Sequence, residues 1–374
     1  MQTFRLIDFI IFLGISQGIF LAIAIQMIQN KNRLANRVLS WILGIATIML
    51  TGRFFFTVET KTVAFFRLAL FVDVFVFIFG PLLYLYYRRL IFKEQVKYRL
   101  HYINFIPAVG MFTYHLWTYQ YSYQEFVLMA RSGDFVIPFF IVEITGILFN
   151  FYFWYRCFQL FQSYSREEKK NLSYAQDVTS YLRTFLWVVV IFLALWVIGF
   201  VQYYFFDIYL SFINYNMIWI LIPVFIYIIG FYSLKQPDIF RMPLSIKPKH
   251  KSHEGLDLKQ IQDLNSKLEE IMVKQKVYLN HRLTLVDLAK TLDISTNKMS
   301  WLLNNIHKTN FYDYINKYRV EAFIEKIQNG EHHHHTLLAL SIDSGFNSKS
   351  TFNRAFKMFV NDTPREYVKK LGAV

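Results

Sequence analysis

Apolar residues are distributed in two different ways along the 374-residue chain. As far as residue 233 they run in long blocks. Beyond it they recur at three- and four-residue steps, the period of a helix with one buried face. A hydrocarbon layer roughly 30 Å thick takes about 20 helical residues. Seven blocks reach that length, at 6–28, 38–57, 63–87, 101–119, 135–158, 181–205 and 212–233, the fourth by the smallest margin. Pro81, Pro107 and Pro138 fall inside them, which spanning helices tolerate. The stretch 234–255 carries Pro237, Pro243 and Pro248 among basic residues and has no apolar period, so it reads as a linker along anionic headgroups. The expected fold is all-α, with a seven-transmembrane helical bundle at 1–233, the linker at 234–255 and a soluble helical domain at 256–374.

Loop charges orient the bundle. The first loop holds Lys31, Arg33 and Arg37, the third Arg88, Arg89, Lys93, Lys97 and Arg99, and the fifth Arg166, Lys169 and Lys170. The tail after the last block holds Lys235, Arg241, Lys247, Lys249 and Lys251. The second loop has only Lys61, the fourth only Arg131, and 206–211 has no basic residue. Basic loops stay in the cytoplasm, so seven spans put the N-terminus outside and the C-terminal domain in the cytoplasm. The first block lacks a basic lead-in and a small-residue cleavage site, so no cleaved signal peptide is expected. The lone Cys157 leaves no intramolecular disulfide.

Charge changes the picture in one respect. The net charge of +14 invites a nucleic-acid reading, but residues 255–374 hold 17 basic and 13 acidic side chains, a net of +4. The other +10 belongs to the membrane part and its linker. Inside the apolar blocks sit Arg53, Arg67, Asp73 and Glu143. Ionisable groups there are costly and face the bundle interior. Two readings stay open: ion pairs between helices, or an outward-opening pocket for a polar ligand with Gln17, His115 and Gln202 as neighbours. The 40 Phe and 25 Tyr fit spanning helices as well as a ligand cage.

In the C-terminal part, Leu258, Ile261, Leu264, Leu268, Ile271 and Met272 form one apolar helical face. Thr284 with Asp287 makes a capping-box start for a short helix over 286–292. A turn at Asp293-Ile-Ser295 leads to a second helix over 296–305, with Ser295 as its cap. Two short helices across such a turn make a helix-turn-helix. Leu288, Ile294, Met299 and Leu302 are its expected core, and Asn297, Lys298, Ser300, Trp301 and Asn304 face outward. A longer helix over 311–328 follows, and then the arrangement repeats over 337–359. There Gly345 supplies the tight corner and Leu340, Ile342, Phe346, Phe352 and Phe356 are the expected core. Lys349, Ser350, Asn353, Arg354 and Lys357 are left outside.

These residues resemble the AraC/XylS-type DNA-binding domain. The resemblance rests on Met299-Ser-Trp-Leu302, on Tyr314-Ile-Asn-Lys-Tyr-Arg319, on the run from Gly345-Phe346 to Phe356-Lys357, and on Thr363-Pro-Arg-Glu-Tyr367. It covers about 100 residues. It implies a seven-helix domain with two helix-turn-helix units, whose recognition helices read double-stranded DNA through Asn297, Ser300 and Trp301 in the first and Lys349, Ser350, Asn353 and Arg354 in the second. Trp301 stands where many relatives carry Arg, and Trp cannot make the bidentate guanine contact. Arg319 reads as a structural tie between the units. Fused to a seven-helix membrane segment, the domain implies a transcription regulator of the bacterial inner membrane, with RNA polymerase and an unknown small-molecule or envelope signal as partners and a homodimer as one possible state.

No nucleophile–base constellation, carboxylate pair or phosphate loop is evident, and Glu143 and His115 are too isolated to argue chemistry. The chain is therefore not expected to be an enzyme, and neither a cofactor nor a metal is called for. The tract His332–His335 reads as a polar loop. The alternatives are a membrane enzyme or transporter with an appended DNA-binding regulator, and a constitutive membrane tether for DNA.

Overall fold

The computed structural model describes residues 6–28, 32–57, 70–92, 98–174, 176–206, 216–235 and 258–371. Arg67, the start of the third expected span and nearly all of the linker lie outside them. The chain falls into two units, Met1–Gln162 with Asp177–Ile246, and Ser163–Gln176 with Lys247–Val374. Among the described residues both are all-α, the only extended pairing being an isolated bridge between Leu172 and Thr284.

In the first unit, α1 (Leu6–Met27) is apolar all round. Ile11, Gly14, Gly18, Leu21 and Ile25 are buried in one stripe, while Phe9, Phe12, Ile19, Phe20 and Ile23 are exposed on the other side. A helix in water would carry polar residues there. α1 packs on α2 (Arg33–Thr57) and on α8 (Asn216–Lys235). The approach is close because small residues line it: a Cβ on Gly14 would stand 2.7 Å from the Pro223 ring. A 3-10 turn, Phe71–Phe75, leads into α3 (Val76–Ile91). Two buried tyrosines tie α3 to α7 (Asp177–Val201), Tyr86 sharing a 2.9 Å hydrogen bond with the Tyr181 hydroxyl and Tyr87 donating to the Leu182 carbonyl at 2.7 Å.

Six described helical segments are long and apolar enough to cross a membrane. The fourth expected span differs. It forms a 3-10 turn, Tyr102–Phe105, then the 13-residue α4 (Ile106–Thr118), which is about 20 Å long at 1.5 Å per residue. Pro107 in its first turn has no N–H to continue the preceding turn as an α-helix. Ala108 and Met111 pack on Val74 and Phe77, and the outward Ile106, Val109, Phe112 and Leu116 are apolar and exposed. The sequence pattern also missed α5 (Tyr123–Ser132), which opens on a complete capping box of Ser122 and Glu125. The longest helix is α6 (Val136–Asn171).

The second unit contains α9 (Leu258–Val273), α10 (Leu285–Thr291), α11 (Thr296–Asn305), α12 (Phe311–Gln328), α13 (Leu337–Asp343), α14 (Lys349–Val360) and α15 (Pro364–Leu371). Thr284 and Asp287 form the capping box of α10 and Ser295 caps α11, as expected; of Asn347 and Ser348, either of which the sequence allowed, Ser348 caps α14. There are two apolar cores, and α12 serves both. Phe311, Tyr314 and Ile315 join Leu268, Leu288, Met299 and Leu302 in the first. Val320, Phe323 and Ile327 join Leu340, Phe346, Phe352 and Phe356 in the second. Ile342 was expected in this core and is 54% exposed instead. It lies on the far side of the short α13 from Leu340, two residues and therefore roughly 200° away.

Gly345 turns the chain between α13 and α14 at φ +93°, and a Cβ there would stand 2.5 Å from the Tyr278 carbonyl oxygen. Gly345→Ala combines left-handed strain of roughly 1–2 kcal/mol with a backbone clash. It is expected to destabilise the second unit by about 2–4 kcal/mol, read as a lower melting temperature of the full-length protein in detergent. An unchanged melting curve would contradict the close approach.

Candidate nucleic-acid interface

Seven short and medium helices build the interface, and the cores fix which faces remain outside. On α14, Thr351, Phe352, Ala355 and Phe356 point inward, so Lys349, Ser350, Asn353, Arg354 and Lys357 are exposed. All five expected contact residues of the second recognition helix thus share one side. On α11, Met299, Leu302 and Leu303 are buried. Asn297 and Asn304 are exposed, while Lys298, Ser300 and Trp301 are half-buried. Asn304 is already engaged, its amide donating to the Ser300 carbonyl at 2.6 Å and to the Ser300 hydroxyl at 3.2 Å. The first recognition helix therefore offers a smaller free polar surface than the second.

Arg354 is exposed but not idle. Its Nη2 donates to the Tyr312 hydroxyl at 2.6 Å, and its guanidinium lies 5.2 Å from the centre of that ring. Tyr312, at the start of α12, also has the Lys169 ammonium 5.9 Å from its ring. Sequence reasoning did not find Tyr312, since a Tyr on a buried stripe looks like core. Its partners come from residues far away in sequence.

Behind the recognition helices lies a wholly buried cation, Arg319 on α12. Its five N–H groups are met by five hydrogen bonds. Nε donates to the Tyr278 carbonyl at 2.7 Å, Nη1 to the Ser173 carbonyl at 2.8 Å and the Asn316 Oδ1 at 3.1 Å, and Nη2 to the Ser173 hydroxyl at 3.0 Å and the Asn280 carbonyl at 2.7 Å. Its plane lies 5.9 Å from the Phe346 ring in the second turn. Burial pushes its pKa down to about 10, which leaves it charged at neutral pH. Arg319 was expected to tie the two helix-turn-helix units; its hydrogen bonds instead tie Ser173 and the 277–280 segment to α12, beside the second turn.

Ser173 was not expected. It sits in the segment between α6 and α7, which read as a basic loop, yet it is fully buried in the second unit. Its backbone N–H and hydroxyl both donate to the Leu283 carbonyl, at 3.3 and 2.7 Å, and Asn316 Nδ2 donates to its carbonyl at 3.2 Å. Glu168 braces the turn by accepting the Gln176 N–H at 2.6 Å. Nothing in the composition of 163–176 marks it as a docking segment.

The charged residues expected inside the spans are only partly brought together. Asp73 and Glu143 line one cavity, with Asn150 as a third polar neighbour. Arg53 does not line it. Its guanidinium lies 5.6 Å from the Trp219 ring centre and feels the charge of Asp8. Gln17, His115 and Gln202 do not line it either. Asn150 was not expected, although Glu143, Gly146 and Asn150 fall on one helical stripe and could have pointed to it. Among the described residues no cluster of three metal-ligating side chains exists.

A family model described as a helix-turn-helix domain matches residues 288–370, from within α10 into α15. Comparison with curated proteins finds no match, and comparison with solved structures finds none. The C-terminal part of the chain is an AraC-type helix-turn-helix DNA-binding domain.

Two substitutions test the interface in operator footprints. Arg354→Ala is expected to weaken binding by about 1–3 kcal/mol, roughly five- to 150-fold, if it reads a base. Tyr312→Phe removes the acceptor that competes for Arg354 and is expected to tighten binding by about 0.5–1.5 kcal/mol. Weaker binding by Tyr312→Phe would mean that Tyr312 positions Arg354 for DNA rather than holding it back.

Proposed function

We propose that the protein is a membrane-embedded, sequence-specific transcription regulator, not an enzyme, in which a signal received by the first unit alters DNA binding by the second. One observation carries this reading. The segment that joins two apolar, membrane-length helices is hydrogen-bonded into the core of the DNA-binding unit through Ser173. A displacement of α6 or α7 would reach the DNA-binding unit through that covalent segment, in addition to the 234–255 linker. The lipid-facing character of α1 and α4 supports embedding. The loop charges support a cytoplasmic second unit, an orientation that requires α4 and its preceding turn to cross as the fourth of seven spans. The cavity supports sensing over transport or catalysis, since among the described residues that line it only Asp73, Glu143 and Asn150 are polar apart from two indoles.

The test uses the full-length protein and a promoter reporter. Wild-type protein is expected to sediment with membranes and carry operator DNA with it, and recovery in the soluble fraction would refute embedding. Ser173→Leu puts a larger apolar side chain at a fully buried position, removes the hydroxyl bonded to Leu283 and Arg319, and is expected to break the docking. Coupling free energies between sites are about 1–3 kcal/mol, so this variant is expected to shift operator affinity by roughly five- to 150-fold while remaining in the membrane. Unaltered affinity and reporter output would sink the coupling.

A further inference from the structure

We propose that the polar end of α6 is part of the DNA-binding surface, and that Lys169 contacts a backbone phosphate beside the bases met by Arg354. The inference rests on reading the chain as a membrane-embedded regulator, and it adds to that reading a residue of a membrane-length helix that touches DNA itself. Residues 163–176 lie outside the part of the chain that matches the helix-turn-helix family, yet they belong to the second unit.

Three observations carry it. First, Lys169 converges with Arg354 on one side chain. The ring centre of Tyr312 lies 5.9 Å from the Lys169 ammonium and 5.2 Å from the Arg354 guanidinium. The two cations are therefore at most about 12 Å apart, a few phosphate steps along one strand at 3.4 Å of axis each. Arg354 stands on the exposed side of α14 with Lys349, Asn353 and Lys357, so Lys169 borders that side. Second, the chain around Lys169 is pinned. Glu168, its neighbour, is buried and accepts the Gln176 N–H at 2.6 Å. The Tyr164 hydroxyl donates to Gln176 Oε1 at 3.0 Å. Ser173 is hydrogen-bonded to Leu283 and Arg319. The helix end is thus held on both sides of Lys169, and less ordering is left for DNA to impose. Third, the ring attracts the ammonium without neutralising it. Lys170, next along the chain, is instead paired with Glu167 at 3.6 Å. A lysine ammonium is a compact charge with three donors, suited to phosphate, and a phosphate contact positions a protein without reading sequence. An anionic headgroup is the other partner for a cation at a helix end, but the ring shared with Arg354 favours DNA. The contact makes docking and DNA binding reciprocal: a shift of α6 that withdraws Lys169 weakens binding, and bound DNA holds α6 in place.

The experiment is a salt titration of DNA binding by the full-length protein in phosphatidylcholine nanodiscs, whose neutral lipid does not compete for the cation. The probes are a duplex selected by the wild-type protein from a random-sequence pool and an unrelated duplex of equal length. Affinity is followed between roughly 50 and 200 mM salt, where each phosphate contact contributes about 0.9 to the slope of log K against log salt. Lys169→Gln is expected to lower that slope by about 1 and to weaken binding of both duplexes by the same factor, about two- to tenfold at the low-salt end. Lys169→Arg is expected to keep the slope, and Lys170→Gln to leave it unchanged. The slope does not depend on the fraction of protein that is folded, so a damaged preparation does not imitate the loss. A loss confined to the selected duplex, or an equal loss of slope in Lys170→Gln, would overturn the contact. An unchanged slope in Lys169→Gln, with the wild-type footprint intact, counts against the contact alone and is the result expected of a cation that serves headgroups. Failure of the wild-type protein to bind either duplex overturns the regulator reading and the contact with it.

Discussion

Arg319 has no exposed surface and no acidic partner among the described residues, and the second unit is arranged around that fact. An isolated buried ion costs several kcal/mol even after relaxation. Each hydrogen bond to a charged group contributes about 1.5–3 kcal/mol, so the cost is met only if nearly all five N–H groups find acceptors. The acceptors are neutral oxygens from Ser173, Tyr278, Asn280 and Asn316. Three of these are main-chain carbonyls, whose positions depend on the path of the chain. The guanidinium therefore dictates where the 277–280 segment runs and where Ser173 docks. It also explains the bare Gly345, since a Cβ there would stand 3.1 Å from Arg319 Nε as well as against the Tyr278 carbonyl.

Two solvents shape the rest. The first unit carries large apolar residues on its outside as well as in its core, as Phe12 and Ile11 do on α1. The second unit reverses this on α14, where Phe352 and Phe356 are inside and Lys349 and Lys357 outside. Helix α6 carries both patterns along its length. Its middle exposes Ile144, Leu148 and Phe151, whereas its end exposes or half-exposes Glu167, Lys169 and Lys170. A helix of 36 residues, about 54 Å at 1.5 Å per residue, exceeds a hydrocarbon layer of roughly 30 Å. Its polar end consequently belongs to water, and that end falls within the second unit.

Much of this was legible in the chain. Periodicity located nearly every helix of the second unit, and the caps at Thr284, Ser295 and Ser348 fell where short polar side chains precede apolar runs. The sides of both recognition helices followed from the same period. Ile342 misled because a seven-residue helix is too short for its apolar pattern to separate the buried side from the exposed one. The break of the fourth expected span into a 3-10 turn and a 13-residue helix was not legible, because hydropathy counts residues without regard to a proline in the first turn. Ser173 was illegible for a deeper reason. Its role depends on Arg319, 146 positions away, and a serine in a charged loop carries no local sign of its partner. The pairing of Asp73 with Glu143 in one cavity is likewise a tertiary fact, although the stripe of Glu143, Gly146 and Asn150 hinted at a polar face.

The buried arginine and the acidic cavity are two outcomes of one rule. In dry surroundings an unmatched polar group costs more than a matched one returns. Around Arg319 the protein supplies every partner itself, and the result is a fixed joint. Around Asp73 the described residues place two further acceptors, Glu143 and the Asn150 oxygen, in the wall of one cavity. α6 connects the two places covalently, lining the cavity with Glu143 and ending two residues before Ser173. A shift of α6 at the cavity would therefore have to be absorbed within the segment that ends at the fully buried, hydrogen-bonded Ser173.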